Sequence, residues 1–530
     1  MKEQIKALSK ETLIYGASTV IGRFLNFLLV PFYVNVLDPK MYGVSASMYT
    51  YMSFLNIIYT LGLEAAYFRY ASRGENEQRS DKEERELFSG PFLFVLAFGG
   101  LLTLLIVVFA PMLAWPVFHD PKADITPYIP EFTRILRYSA LIILLDSMNI
   151  IPFAALRIDR RAKWFGVVRL TGIVITLILN FVFILGMHMG VEGIFIANVI
   201  ASATMLVMLG PTIARRFEFK VSRPVMKKLM PFGLTNVPAY LSSMMVQVID
   251  RPIVQAFLGL AILGVYQANY RMGIMMMVLV GLFEYAWRPF FLREARTDDK
   301  RARQIFSRVF TYFMLVACMV FLFLSFFLPE VLTVRLPIIH HAIFQKKEWI
   351  TGIDIIPVVL AAYIFQGMYT NFIAGIYIKE HNKVLPFVTG LGAAVNIISN
   401  LLLIPILGIM GAALATLFAY MAMAGALYWQ AQKVYYIAYD WRRVGIVALY
   451  VIIAVVLNYT LIPSLSVYVH TAILRLVLFA LVVGALLLTG FFSKGEIETL
   501  RSLARIPGGR KASRPPEPEP MQSATERQEG

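Results

Sequence analysis

Apolar stretches of about twenty residues recur along this chain, separated by short polar turns. They begin near residues 13, 42, 90, 134, 164, 191, 231, 263, 306, 353, 385, 410, 443 and 469. Each is long enough to cross a bilayer as a helix, so the pattern predicts about 14 transmembrane helices and no soluble domain between them. The first two, Leu13–Val36 and Tyr42–Ala66, are joined by a tight turn at Leu37-Asp38-Pro39-Lys40. Polar residues interrupt some of these stretches at helical spacing. Arg23 shares a face with Thr19 and Asn26, and Ser53, Asn56, Thr60 and Glu64 form a second stripe. The clearest stripe is Asn236, Tyr240, Ser243, Gln247 and Asp250, with Arg251 beside its last member. Adjacent on one helix, Asp250 and Arg251 are expected to face different ways. Gln267 and Arg271 follow at i and i+4. A charge at the centre of a spanning helix costs roughly 2.5–3.5 kcal/mol, so these stripes are expected to face protein or water rather than lipid.

The pattern also repeats. A shift of 221 residues brings Pro31 onto Pro252, Leu37 onto Leu258, and Gly43-Val44 onto Gly264-Val265. Later in each half Arg169, Thr176 and Asn180 have the spacing of Thr389, Asn396 and Asn400, and Gly190 and Gly193 match Gly408 and Gly411. An internal repeat of six spans follows. The expected organisation is an all-α polytopic membrane protein with two six-helix bundles, residues 1–213 and 214–432. Two further helices lie in 433–492, and a largely disordered cytoplasmic tail occupies 493–530. An even span count gives both halves the same orientation, so the repeats are related by an axis along the membrane normal.

Composition sharpens this picture. The 530 residues are 58% hydrophobic and only 15% charged, with a mean hydropathy of +0.67. The net charge of +16 would suit a nucleic-acid partner if it were clustered on one soluble face. Instead about 37 of the 49 Lys and Arg fall in alternate, inward segments, the signature of both termini being cytoplasmic. No nucleic acid is therefore expected. The single cysteine, Cys318, lies in an apolar stretch and excludes an intrachain disulfide or a cysteine metal site. The adjacent His340-His341 lack the nearby acids or cysteines that a metal site needs, so neither metal nor cofactor is expected. No removable signal peptide is read at the N-terminus.

The run Asp250-Arg251-Pro252, Leu258-Gly259, Leu263-Gly264-Val265-Tyr266 and Ala268-Asn269-Tyr270-Arg271 resembles the Wzx-type polysaccharide flippases. These belong to the multidrug/oligosaccharidyl-lipid/polysaccharide (MOP) exporter superfamily. Gly16, Gly22-Arg23, Pro31 and Tyr42-Gly43 are similar to the same family's first two spans, and Asn400, Ile404-Pro405 and Gly408–Gly411 to a later one. The resemblance implies two bundles around a cationic cavity and movement of an undecaprenyl-diphosphate-linked oligosaccharide across the bacterial inner membrane. It makes Arg23, Arg251 and Arg271 the cavity arginines. Only one arginine, Arg23, stands in the first span, whereas lipid II flippases of the superfamily usually carry more there.

Charge matching gives the physical case: a diphosphate in a low-dielectric cavity needs cations, and guanidinium offers it bidentate donors. Asn26, Asn56, Asn236, Tyr240 and Gln247 supply groups suited to sugar hydroxyls. Glu64, near the inner end of its span, and Asp250 are candidates for coupling or gating. The expected partners are the lipid-linked oligosaccharide, membrane lipid, a coupling cation (Na+ or H+), and polysaccharide polymerase or export machinery. A drug/cation antiporter of the same superfamily would want an acidic cavity, and the in-span charges lean basic. A glycosyl polymerase or transferase would show a sizeable outward loop or an Asp-x-Asp motif; the outward loops near 115–133 and 331–352 are small, and no Asp-x-Asp occurs.

Overall fold

The computed structural model describes residues 29–72, 80–297, 299–333, 343–465, 470–489 and 491–492. Arg23, Asn26, His340 and His341 lie outside the described residues, as do most of the first span and the tail. By internal contacts the chain forms two units, Met1–Phe479 and Ala480–Gly530. The described part of the second is mainly the end of the last helix.

In the absence of water, every backbone polar group inside hydrocarbon must be bonded within its own segment, and helices satisfy that. The first half contains α1 (Pro39–Thr60), α2 (Leu63–Ala71), α3 (Asp81–Val117), α4 (Ile129–Ile158), α5 (Ala162–Phe181) and α6 (Gly190–Arg216). The second contains α7 (Arg223–Val248), α8 (Asp250–Leu258), α9 (Leu260–Met272), α10 (Ile274–Thr297), α11 (Asp299–Thr333), α12 (Ile355–Ile378), α13 (Leu385–Leu407) and α14 (Ile409–Val434). Two more follow, α15 (Trp441–Thr460) and α16 (Thr471–Leu488). Among the described residues, eleven helical stretches are long and apolar enough to cross a membrane. α1 and α7 are long enough but more polar, because they carry the stripes read from the sequence. The first of the expected 14 spans lies mostly outside the described residues.

The two halves use the same packing scheme. α4 packs on α3 and α6, and α6 on α5; in the same way α12 packs on α11 and α14, and α14 on α13. The repeat extends to the backbone. Gly190 and Gly408 are both left-handed, with φ of 58° and 61°, and so are Arg160 and Glu380, with φ of 55° and 52°. The amides of Asn180 and Asn400 donate to the carbonyls four residues back, at Thr176 and Asn396.

Three of the spans read as continuous are broken. The stripe from Ser53 to Glu64 is interrupted at Leu61 and Gly62, both left-handed, so Glu64 falls in the first turn of a new helix instead of continuing α1. Breaks at Ile249 and Gly273 divide the seventh and eighth spans. Such interruptions are tolerated in a membrane where neighbouring helices and side chains take up the freed backbone groups.

Among the described residues, paired glycines bring the halves together at two seams. A Cβ on Gly43 would overlap the Leu260 carbonyl, and one on Gly264 would overlap that of Pro39, so these repeat-related glycines let α1 and α9 meet backbone to backbone. Gly62 and Gly233 do the same where α2 meets α7. The first seam is clasped from both sides. Gln255 Nε2 donates to the Val117 and His119 carbonyls at 3.0 Å, and Leu260 N to Asp120 Oδ2 at 3.0 Å. In return Lys346 Nζ donates to the Leu37 carbonyl at 3.1 Å, and Asn35 Nδ2 to that of Ile343 at 3.1 Å. Each half lends a loop to hold the other's hairpin. That hairpin is built as expected, with Asp38 capping Met41 N and Pro39 opening α1.

Candidate functional site

Asp250 and Arg251 correct the expectation that they face apart. The break at Ile249 makes Asp250 the first residue of α8, where its carboxylate accepts the Arg251 N–H at 3.1 Å and the Arg251 guanidinium at 2.9 Å. Arg251 Nε donates to Gln267 Oε1 at 3.0 Å, its Nη1 to the Gln247 carbonyl, and Tyr266 donates to the other Asp250 oxygen. The guanidinium lies 4.8 Å from the Tyr270 ring centroid. Both charges are buried, so the pair behaves as an interior ion pair of the second half; removing either partner would leave a buried charge without compensation.

Arg271 is placed differently. It is half-buried at the end of α9, beside the Tyr42 hydroxyl and within electrostatic reach of Tyr33 and Tyr49, all from the first half. Among the described residues no acidic side chain pairs with it. The Tyr42 hydroxyl is buried and forms no well-shaped hydrogen bond. Arg271 therefore presents a guanidinium, with the Tyr42 hydroxyl beside it, at the junction of the halves.

The stripe on α7 remains largely open. The Asn236 amide donates to its own helix at Phe232 O (2.8 Å) and Gln247 to Ser243 O (3.3 Å), while Tyr240 stays exposed. Among the described residues these amides glue no helices together. That work falls to asparagines elsewhere, such as Asn269 to the Trp349 carbonyl at 2.9 Å and Asn396 to that of Val246 at 3.3 Å.

A second polar region, of which only Asn56 and Glu64 were sequence candidates, lies inside the first half. A cavity of about 530 Å³ opens among α1, α2, α4, α5 and α6, and its wall includes Asn56, Glu64, Asp146, Asn149, Arg157 and Arg169. Glu64 pairs with Arg157 at 3.1 Å within the same half rather than across the junction. Asp146 accepts from Ser202 Oγ at 2.6 Å. Arg169 lies over the Phe153 ring at 4.7 Å and makes no hydrogen bond to a described residue. The Asn149 amide donates to the Ser202 carbonyl at 3.2 Å, yet its buried oxygen has no partner. Asp146 and Asn149 stand at i and i+3 on α4, a signal the sequence contains but whose meaning depends on what α5 and α6 bring opposite.

Away from these sites, Glu284 and Arg288 form the local i,i+4 pair their spacing predicts, 3.4 Å apart. Arg475, an isolated charge in the last span, bonds Glu330 and the Phe326 carbonyl at 2.8 Å and Asn458 at 2.9 Å, tying α15 and α16 to α11.

Comparison with known proteins gives three findings. Residues 35–338 match the family model described as "Polysaccharide biosynthesis protein". An uncharacterized membrane protein of Methanocaldococcus jannaschii is 23% identical over 444 residues, 80% of this chain and 82% of that protein. Among solved structures, lipid II flippase MurJ in an inward closed conformation superposes with a TM-score of 0.68 at 15% identity, covering 93% of this chain and 100% of that one. An inward-facing multidrug resistance MATE family transporter of the MOP superfamily gives 0.61 at 13% identity, covering 78% and 94%.

Proposed function

This chain belongs to the polysaccharide biosynthesis protein family, a multi-pass membrane protein with the fold of MOP-superfamily transporters, and on that footing we propose that it flips undecaprenyl-diphosphate-linked oligosaccharide units across the bacterial inner membrane. The activity is translocation, with no covalent step. The observation that carries the reading is Arg271, a half-buried guanidinium at the junction of the halves with no acidic partner among the described residues. A diphosphate satisfies such a group with two charge-assisted hydrogen bonds, whereas a cationic drug would be repelled by it. Arg23 and Asn26 are proposed to join it, with Asn56, Asn236, Tyr240 and Gln247 taking sugar hydroxyls. Arg251, with Asp250, is proposed to act from behind, fixing the α8–α9 corner next to which the substrate sits.

The bundles 1–213 and 214–432 are taken as the moving bodies, with 433–492 as additional helices. Their end rich in arginine (Arg157, Arg160, Arg161, Arg215 and Arg216) is proposed to face the cytoplasm, as are both termini. Transport then alternates between parting the Gly62–Gly233 seam toward that side and parting the Gly43–Gly264 seam toward the other, the lipid tail remaining in the bilayer. Glu64 is proposed to participate in gating through its bond to Arg157, and a coupling cation is expected. The test is complementation of a deletion strain. Arg271→Ala should be inserted normally yet trap lipid-linked oligosaccharide on the cytoplasmic leaflet, with Arg271→Lys intermediate. Normal surface glycan from Arg271→Ala would remove the reading.

A further inference from the structure

The first-half cavity has a charge pattern that selects its ligand. Among the described residues of its wall the ionised groups cancel: Arg157 and Arg169 against Glu64 and Asp146. Arg157 and Glu64 satisfy one another, but Asp146 and Arg169 do not meet. They are close enough to interact through space, yet no ion pair forms between them. Asn149, a wall residue only 3% exposed, carries a side-chain oxygen with no donor among the described residues. A buried acceptor without a partner calls for a donor from a ligand or water.

A diphosphate entering here would meet two carboxylates, and a bare cation would meet two guanidiniums. An acyl chain would strand every polar group in the wall. A polyol is different. Each hydroxyl both donates and accepts, so one sugar ring can give a hydrogen bond to Asp146 or Asn149 while taking one from Arg169. The cavity, about 530 Å³, falls within the range of roughly 300–1,000 Å³ usual for small-molecule sites. Its wall residue Asn198 is bonded to a tyrosine that lies toward the junction. Tyr49 receives the Asn198 amide at 3.0 Å on its hydroxyl and lies within electrostatic reach of both Asp146 and Arg271.

We infer that this cavity is a sugar-binding subsite: it takes a neutral sugar of the transported headgroup while Arg271 holds the diphosphate. The inference rests on the flippase reading and adds to it the part of the substrate that the first half recognises. Asp146, Asn149 and Arg169 are its reading groups, and Ser202 holds Asp146 in position.

Full-length protein in nanodiscs would be titrated with undecaprenyl diphosphate, and with the same lipid bearing neutral disaccharides from a panel of gluco, galacto and manno configurations. At least one glycosylated lipid should bind about tenfold or more tighter than the bare lipid, the scale of one or two hydrogen bonds to charged groups. Asp146→Asn and Asn149→Leu should each erase most of that advantage and leave the bare lipid's affinity unchanged. Arg271→Ala should weaken both lipids together. Should a variant be lost to misfolding, as judged by thermal unfolding, the milder Ser202→Ala takes its place and should reduce the same advantage. The inference is overturned if no member of the panel outbinds the bare lipid, or if the cavity variants keep the preference. Sodium binding that Asp146→Asn abolishes, with no glycan preference, overturns it in favour of an ion site. Failure of every diphosphate lipid to bind removes the flippase reading itself.

Discussion

Valine at position 264 should unlatch the seam between α1 and α9. A Cβ there would lie 2.9 Å from the Pro39 carbonyl carbon and overlap its oxygen, and 3.0 Å from Gly43 N. Ordinary carbon contacts are about 3.5–4.0 Å, so the helices must part by about 1 Å or more at a point where both backbones are rigid helix. Overpacking of this kind costs about 1–3 kcal/mol. The separation also stretches the clasp from Leu260 N to Asp120 and from Gln255 to the 117–119 carbonyls. All of that cost falls on the state with this seam closed, because the parted state has no such contact. A bias of about 1–3 kcal/mol moves a two-state equilibrium about 5- to 150-fold. The assay is maleimide labelling of a cysteine placed at Ser47 in a Cys318→Ala background. Ser47 is 1% exposed and donates to Gln255 at 2.6 Å, so its labelling reports opening of this seam. Gly264→Val should raise the labelling rate by that factor, while a cysteine at Leu229, beside the Gly62–Gly233 seam, should label no faster. Unchanged labelling at position 47 in a folded protein, or an equal rise at 229, would refute the reasoning.

Arg251→Ala should lower stability by about 3–5 kcal/mol, because Asp250 is left charged and buried; the paired change Asp250→Asn with Arg251→Gln should recover most of the loss in thermal unfolding. A phosphate-contact role for Arg251 alone would instead give a stable, inactive Arg251→Ala protein. Asp120→Ala removes the acceptor for Leu260 N and should weaken the clasp by about 1 kcal/mol, seen as a severalfold faster labelling at position 47. Arg475→Leu should free α15 and α16 from α11 and leave Glu330 half-buried without its cation, a cost of about 1–3 kcal/mol. Faster proteolysis between residues 434 and 441 is the readout, and an unchanged digestion pattern would count against the tether.

Much of this architecture could be read before any coordinates. Hydrocarbon thickness converts apolar runs into spans, and a chain so poor in charge has few other folds open to it. The Asp38-Pro39 turn follows from local chemistry alone, since a capping carboxylate and a fixed proline φ specify it without outside help. The glycines Gly43 and Gly264 were visible as a repeat, although not as each other's contact. What remained hidden was helix rotation. Lipid is as apolar as leucine, so hydrophobic pattern does not distinguish a face turned to protein from one turned to the bilayer, and polar positions only narrow the choice.

The sequence by itself therefore determined the class, the spans, the repeat and the presence of polar stripes, because each depends on segment length or on neighbours a few residues away. Tertiary structure decided which charges meet. It turned Asp250 toward Arg251 through a break at Ile249, left Arg271 beside Tyr42 of the other half, and drew Asp146, Asn149 and Arg169 around one cavity. Those encounters join residues far apart in the chain, and their energies depend on distances of a few ångströms that only packed helices set.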